Sequence, residues 1–144
     1  MKPSPLRLEP VDGYITISAA PTPAANIHEA DSTYCRFYLT PLAGTAAWVT
    51  WSNLASWLPA TDAPLPVHFE QLAASIGTTP ARLTRTIQRI TAFHLAYVLP
   101  TEPDHLHVQR RAATLSPKLV ERLAQTCPTL AAAHDHMART SAAA

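Results

Sequence analysis

Two helical segments separated by a single glycine constrain this chain more than any other part of its sequence. The first segment repeats apolar residues at i, i+3, i+4 and i+7, which places them on one face of a helix. These residues are Phe69, Leu72, Ala73 and Ile76. Gly77 follows, and glycine readily takes the left-handed conformation that ends a helix. Thr78-Thr79-Pro80 then predicts a second helix, because Thr caps free N–H groups and Pro is well tolerated at the first helical position.

The second helix is predicted to run from Pro80 to about His94, with two different faces. Its apolar face consists of Leu83, Ile87, Ile90 and His94 or Phe93. Three guanidinium groups lie on another face, those of Arg82, Arg85 and Arg89. A short helix, a tight turn and a second helix of this kind are typical of a helix-turn-helix, whose second helix can lie in a DNA major groove.

A β-hairpin is predicted directly after the second helix. Leu95–Leu99 favours a strand, Pro100–Asp104 is rich in turn residues, and His105–Arg111 alternates polar and apolar side chains. In this order the elements resemble the winged helix-turn-helix family of DNA-binding proteins, over roughly Leu42 to Leu115. The resemblance implies a mainly α fold with small β elements, an α+β class, in which the hairpin is the wing.

The chain also resembles uncharacterised winged-helix-like proteins of actinobacteria at two short stretches. The entry to the first helix reads Leu39-Thr40-Pro41-Leu42-Ala43-Gly44, and the pair Arg110-Arg111 closes the wing. This resemblance implies a fold and carries no activity.

Three regions are expected along the 144 residues: an extension at 1–32, the winged helix-turn-helix domain at 33–115, and C-terminal helices at 116–144. With 47% hydrophobic and 15% charged residues, the chain has the apolar content of one domain of ordinary size with extensions. The C-terminal helices are expected to pack on their own domain or on a second copy, which makes a homodimer one alternative.

Several elements of the N-terminal half are predicted around turn signals and apolar patterns. The Asp-Gly pair of Val11-Asp12-Gly13 predicts a hairpin that joins residues 6–9 to Tyr14–Ser18, and a Pro/Ala linker follows at 19–25. Thr33–Leu39 has strand propensity and is expected to line the wing.

A further helix is predicted from about Ala46 to Leu58. Its apolar face comprises Trp48, Trp51, Leu54, Ala55 and Leu58, and Trp57 lies off this face. Core packing is the favoured role of the face, and an exposed stacking platform for single-stranded nucleic acid is the alternative.

The charge is concentrated on the proposed binding segment. The whole chain carries a formal net charge of +1, whereas Thr78 to Arg111 contains five Arg against Glu102 and Asp104, a balance of +3 that leaves −2 elsewhere. No apolar run approaches the ~20 residues that cross a bilayer. The N-terminal sequence is not of signal-peptide type, so a cytoplasmic location and two reduced cysteines, Cys35 and Cys127, are expected.

Metal binding and catalysis are not expected. His105 and His107 lie on the same side of a strand, at a spacing that could bind a divalent metal, and His134-x-His136 is a second pair. Neither has an obvious ligand partner beyond Asp104 and Asp135, so solvent-exposed side chains are the favoured interpretation. No phosphate-binding Gly loop, nucleophile motif or carboxylate pair is present, and no cofactor is predicted.

The sequence therefore predicts a sequence-specific protein for double-stranded DNA, a small transcriptional regulator. Arg82, Arg85 and Gln88 are expected to reach base edges. Arg89, Thr78 and Thr79 are expected to hold phosphates, and Arg110 and Arg111 to contact the backbone or an adjacent minor groove. About four to six phosphates would be neutralised per protomer. The alternatives are a winged-helix adaptor that binds an acidic protein without DNA, and an arginine face that serves only solubility.

Overall fold

The structure is a computed structural model that describes residues 7–143, with side chains described as far as Arg139. The fold is α+β, as predicted. The strands are β1 (Tyr14–Ala19), β2 (Asn26–Glu29), β3 (Leu65–His68), β4 (Ala96–Leu99), β5 (Glu102–Val108) and β6 (Arg111–Ala113). The helices are α1 (Thr33–Tyr38), α2 (Thr40–Ala43), α3 (Thr45–Trp57), α4 (Phe69–Ile76), α5 (Pro80–Ala92), α6 (Pro117–Thr126) and α7 (Pro128–Ala143).

Four of the strands form one mixed sheet in the order β3-β1-β5-β4. β1 pairs antiparallel with β3 and parallel with β5, and β4 and β5 form the predicted hairpin. β2 and β6 pair separately. This order does not show the predicted winged arrangement, because β1 from the N-terminal region separates β3 from β5.

The predicted helix pair is confirmed at its turn and caps. Gly77 ends α4 in the left-handed conformation, with φ of 80°. Thr79 precedes α5, and its hydroxyl accepts a hydrogen bond from the Arg82 N–H at 3.3 Å. Leu83 and Ile90 are fully buried, so the apolar face of α5 packs into the core as its spacing indicates.

The tryptophans of α3 also lie as predicted. Trp51 is fully buried and its indole N–H donates to the Gln109 carbonyl at 2.9 Å, which ties α3 to the end of the hairpin. Trp57 lies off the buried face and is 38% exposed. Core packing of the apolar face is therefore confirmed, since a buried ring whose N–H is paired is not available for stacking on nucleic acid.

Two predictions for the N-terminal half are wrong. Thr33–Leu39 is not a strand but contains α1, because the Ser32 hydroxyl caps it by accepting from the Cys35 N–H at 3.2 Å and because Cys35 is buried in the core. Asp12-Gly13 forms the predicted turn, with a bridge between Val11 and Tyr14. However, residues 7–10 form no strand, and the chain from Tyr14 pairs with β3 and β5 instead. Leu6, in the first predicted arm, lies outside the described residues.

The C-terminal helices pack on their own chain. Leu123 of α6 and Ala131 of α7 are buried in the common core. His134, predicted to be solvent-exposed, is only 3% exposed and lies 2.7 Å from the Tyr34 hydroxyl. The prediction failed because the amphipathic face of α7 includes this imidazole, which finds a polar partner in the core.

Among the described residues, no helix is both long enough and apolar enough to cross a membrane.

Candidate nucleic-acid interface

The first two turns of α5 present two arginines to solvent. Arg82 and Arg85 are both exposed, three positions apart on the helix, while Leu83 and Ile87 point into the core. Within residues 7–139, neither guanidinium forms an ion pair or a hydrogen bond. Two positive charges therefore stand on one helix surface with their donors available.

A groove lies between this part of α5 and the first turn of α3. It is lined by Thr45, Ala46, Thr78, Arg82, Arg85 and Thr86, among others. α3 follows Gly44, which offers no side chain to accept from the first N–H groups of the helix. The positive end of the helix dipole thus lies beside two guanidinium groups.

Negative side chains are absent from both walls of this groove. Neither Thr45–Trp57 nor Pro80–Ala92 contains Asp or Glu. Two guanidinium groups and a helix N-terminus therefore lie beside one another without competing carboxylates, in a groove whose lining also includes Val49 and Ile76.

Of the threonine and glutamine residues predicted to contact DNA, the threonines lie near Arg82 and Arg85 and the glutamine does not. Thr78 lines the groove, and the Thr79 hydroxyl keeps its own proton to donate, because it only accepts in its cap. Gln88 lies in a different depression, beside Thr91 and Tyr97, that does not include Arg82 or Arg85. The structure thus places Thr78 and Thr79 with the two arginines and sets Gln88 to one side.

Arg89 has partners within its own chain, although its side chain is exposed. Its Nη2 donates to the Leu42 carbonyl at 2.7 Å, its Nε donates to the Ala43 carbonyl, and its guanidinium lies 5.5 Å from the centroid of the Phe93 ring. These carbonyls belong to the last turn of α2, where a helix lacks internal donors. Arg89 therefore joins α5 to α2, and its charge is placed where a helix C-terminus favours a cation.

The two remaining arginines also have internal partners. Arg110 Nη2 donates to the Pro59 carbonyl, in the loop after α3. Arg111 belongs to β6, and its Nε lies 2.7 Å from Glu29 Oε1. The pair thus fixes the chain after the hairpin to the α3–β3 loop and to β2. The structure does not bring these side chains together with Arg82 and Arg85.

A second group of polar side chains lies on the outer face of the sheet. Glu102 Oε2 is 3.6 Å from His105 Nδ1 and 3.6 Å from His107 Nε2. Burial lowers the pKa of His107 below its ordinary value and the neighbouring His105 lowers it further, while Glu102 acts in the opposite direction. These residues could hold a metal ion.

Sequence reasoning noted the two histidines and missed Glu102. In a regular strand, Glu102 and His105 would lie on opposite faces, because they are three residues apart. The ladder between β4 and β5 is irregular here, since Leu106 pairs with Val98 and Glu102 already pairs with Leu99. The Pro100-Thr101-Glu102-Pro103 stretch was the available signal, because Pro residues interrupt strand ladders.

No family can be assigned from other proteins, and the resemblance to winged helix-turn-helix proteins remains a prediction. Comparisons with protein-family models, with curated proteins and with solved structures found no match.

Proposed function

We propose that the protein binds double-stranded DNA in a sequence-specific manner and acts as a small transcriptional regulator. In this proposal α4 and α5 serve as a helix-turn-helix, the β4–β5 hairpin serves as a modified wing, and the start of α5 enters the major groove. One observation carries the proposal: Arg82 and Arg85 have no partner among the described side chains and share a face without carboxylates.

The contrast among the arginines supports this assignment. Arg89, Arg110 and Arg111 bind carbonyl or carboxylate oxygens of their own chain. Of the five arginines between Thr78 and Arg111, Arg82 and Arg85 remain able to bind another molecule. A guanidinium can bind guanine O6 and N7 with two parallel hydrogen bonds, and the major groove is wide enough to admit a helix. Arg82 and Arg85 are therefore the base-reading residues of the proposal.

The groove beside α5 supplies phosphate contacts. Thr78 lines the groove and Thr79 caps α5 beside it, and in this proposal their hydroxyls donate to phosphate oxygens. The N–H groups at the start of α3 are suited to the same anion. With three arginines engaged internally, about two to three phosphates are neutralised per protomer instead of four to six. The slope of log K against log salt is then about −1.8 to −2.7 per protomer, and two copies on adjacent half-sites would double it.

The test is selection from a pool of random duplexes at two salt concentrations. The full chain is compared with the double variant Arg82→Ala/Arg85→Ala and with Arg36→Ala/Lys118→Ala. The control variant also loses two positive charges, but from exposed positions on α1 and α6. If α5 reads DNA, the wild type and the control enrich one motif, and the α5 variant loses it. Each lost arginine contact should cost about 1–3 kcal/mol.

Other outcomes contradict the proposal in different ways. Equal loss in both variants would mean that net charge alone drives binding, without sequence-specific readout. Absence of binding at low salt by the folded wild type would exclude DNA as the ligand. The same two variants would then serve as bait and control for an acidic protein partner, which is the adaptor alternative.

A further inference from the structure

We propose that Glu102, His105 and His107 form a binding site for a divalent transition-metal ion, with Zn²⁺ the ion that this ligand set favours. Imidazole nitrogens and a carboxylate oxygen are all zinc ligands, and a site with three protein ligands keeps a position open for water or another molecule. The three residues belong to β5, whereas Arg82 and Arg85 belong to α5, so the inference does not depend on DNA binding.

The three donor groups already converge. One ligand atom from each residue lies within 4.8 Å of the others, and Glu102 Oε2 is 3.6 Å from a nitrogen of each histidine. Two ligands of a tetrahedral zinc ion, with bonds of about 2.0–2.1 Å, are roughly 3.3–3.4 Å apart. The Glu102 oxygen is thus within a few tenths of an ångström of this spacing from each imidazole. The two imidazoles, whose rings are stacked with their centroids 4.1 Å apart, must turn so that both ring planes contain the ion. Glu102 is half exposed, which leaves its side chain free to adjust to this change.

The backbone produces this convergence. Leu99 pairs with Glu102, and its neighbour Val98 pairs with Leu106, so β5 bulges between these two partners. The bulge brings the Glu102 carboxylate to the face that carries His105 and His107. Bulges commonly re-aim a side chain next to a functional site.

An unpaired buried nitrogen of His107 is a second observation that supports the proposed site. Its Nε2 is buried and has no hydrogen-bond partner among the described residues, and 3.6 Å from Glu102 is too long for a hydrogen bond. Buried polar atoms are normally paired, so an unpaired one requires an explanation. A metal ion bound between His107 and Glu102 would provide the partner.

Both imidazoles contact neighbouring aromatic or hydroxyl groups. His107 stacks between Tyr97, at 4.9 Å between ring centroids, and His105, at 4.1 Å. The buried Ser18 hydroxyl lies 2.6 Å from His105 Nε2. When it accepts from the Nε2–H, the lone pair of Nδ1 faces Glu102. A hydrogen bond to the nitrogen away from the metal is the usual way in which a protein orients a histidine ligand. Ser18 is therefore a positioning residue.

The test is calorimetric titration of the chelator-treated full chain with ZnCl₂, with MgCl₂ as a comparison ion, and visible absorption after addition of CoCl₂. We expect one equivalent of Zn²⁺ to bind, no comparable binding of Mg²⁺, and a Co²⁺ spectrum that reports nitrogen ligation. Glu102→Gln and His105→Gln should each weaken zinc binding at least 10-fold. Ser18→Ala should weaken it about 10- to 100-fold with the stoichiometry unchanged.

The control is His136→Gln, which changes the other His-x-His pair and should leave zinc affinity unchanged. Circular dichroism of each variant verifies folding. If a histidine variant unfolds, Glu102→Gln still tests the site, because the Glu102 side chain is half exposed and its replacement should not disturb the fold. Loss of zinc binding in His136→Gln but not in Glu102→Gln would place the ion on α7 and overturn the proposal. Zinc binding no tighter than magnesium binding in the folded wild type would overturn it as well.

Discussion

The buried hydroxyl of Tyr34 provides a quantitative test of how the C-terminal helices are held. This oxygen accepts from the Leu115 N–H at 2.8 Å and lies 2.7 Å from Nε2 of His134 on α7. Burial raises the pKa of Tyr34 to about 12, so the hydroxyl stays protonated and donates to His134. A single side chain thus joins α1, the segment before α6, and α7.

Replacing Tyr34 with Phe removes only this oxygen. The Leu115 N–H is left without an acceptor, which costs about 1–3 kcal/mol, and loss of the His134 hydrogen bond costs about 1 kcal/mol more. We expect Tyr34→Phe to lower the free energy of unfolding by about 2–4 kcal/mol. Tyr38→Phe is the matched control, because no hydrogen bond of the Tyr38 hydroxyl occurs within residues 7–139. It should cost less than about 0.5 kcal/mol.

Urea unfolding followed by circular dichroism at pH 7.5 measures both values. With m of about 2 kcal/mol/M, the midpoint of Tyr34→Phe should fall by about 1–2 M with m unchanged. If the two variants differed by less than about 0.5 kcal/mol, the hydroxyl would not join these helices as the distances indicate. Such a result would refute the reasoning.

Further predictions concern pH, the internal arginines and salt. Burial lowers the pKa of His134 below 6.5. The stability that the neutral imidazole contributes is therefore complete above pH 6.5, and the free energy of unfolding declines as the pH falls below this value, by up to about 1.4 kcal/mol per pH unit. In urea titrations at several pH values, His134→Gln should make this decline less steep. Burial lowers the pKa of His28 and His107 too, so part of the decline remains. Arg89→Gln should lower the unfolding free energy by about 1.5–3 kcal/mol and leave duplex affinity unchanged, whereas weaker DNA binding at equal stability would restore its predicted phosphate role. Arg111→Ala should cost less than about 1 kcal/mol, because its ion pair with Glu29 is exposed; a larger loss in thermal unfolding would contradict this. Between 50 and 200 mM salt, duplex affinity should fall about 10- to 40-fold per protomer, and a fall above about 100-fold in fluorescence anisotropy would mean that more phosphates are bound.

Local signals in the sequence predicted the central elements. The turn at Gly77, the Thr79 cap and the hairpin after α5 depend on residues a few positions apart, and each is found in the structure. The buried Trp51 face of α3 followed from helical spacing in the same way. Such features are predictable because their energetics are local.

Partners distant in sequence were not predictable. The carbonyls that accept from Arg89 lie 46 and 47 positions away, and the one that accepts from Arg110 lies 51 positions away. Nothing in the spacing of Arg82, Arg85 and Arg89 distinguishes a free guanidinium from an engaged one. The prediction of a strand at Thr33–Leu39 was wrong for a related reason, since the helix cap at Ser32 and the burial of Cys35 in the core outweighed strand propensity.

The position of β1 in the sheet has a consequence for the order of folding during synthesis. Its Ser18 lies against His105 of β5, 87 positions later in the chain, whereas β3 becomes available much sooner. Until β5 has left the ribosome, one edge of β1 has unsatisfied N–H and C=O groups that can pair with another nascent chain. Slow translation between β3 and β5 should therefore increase aggregation, even though the finished protein leaves β1 no free edge.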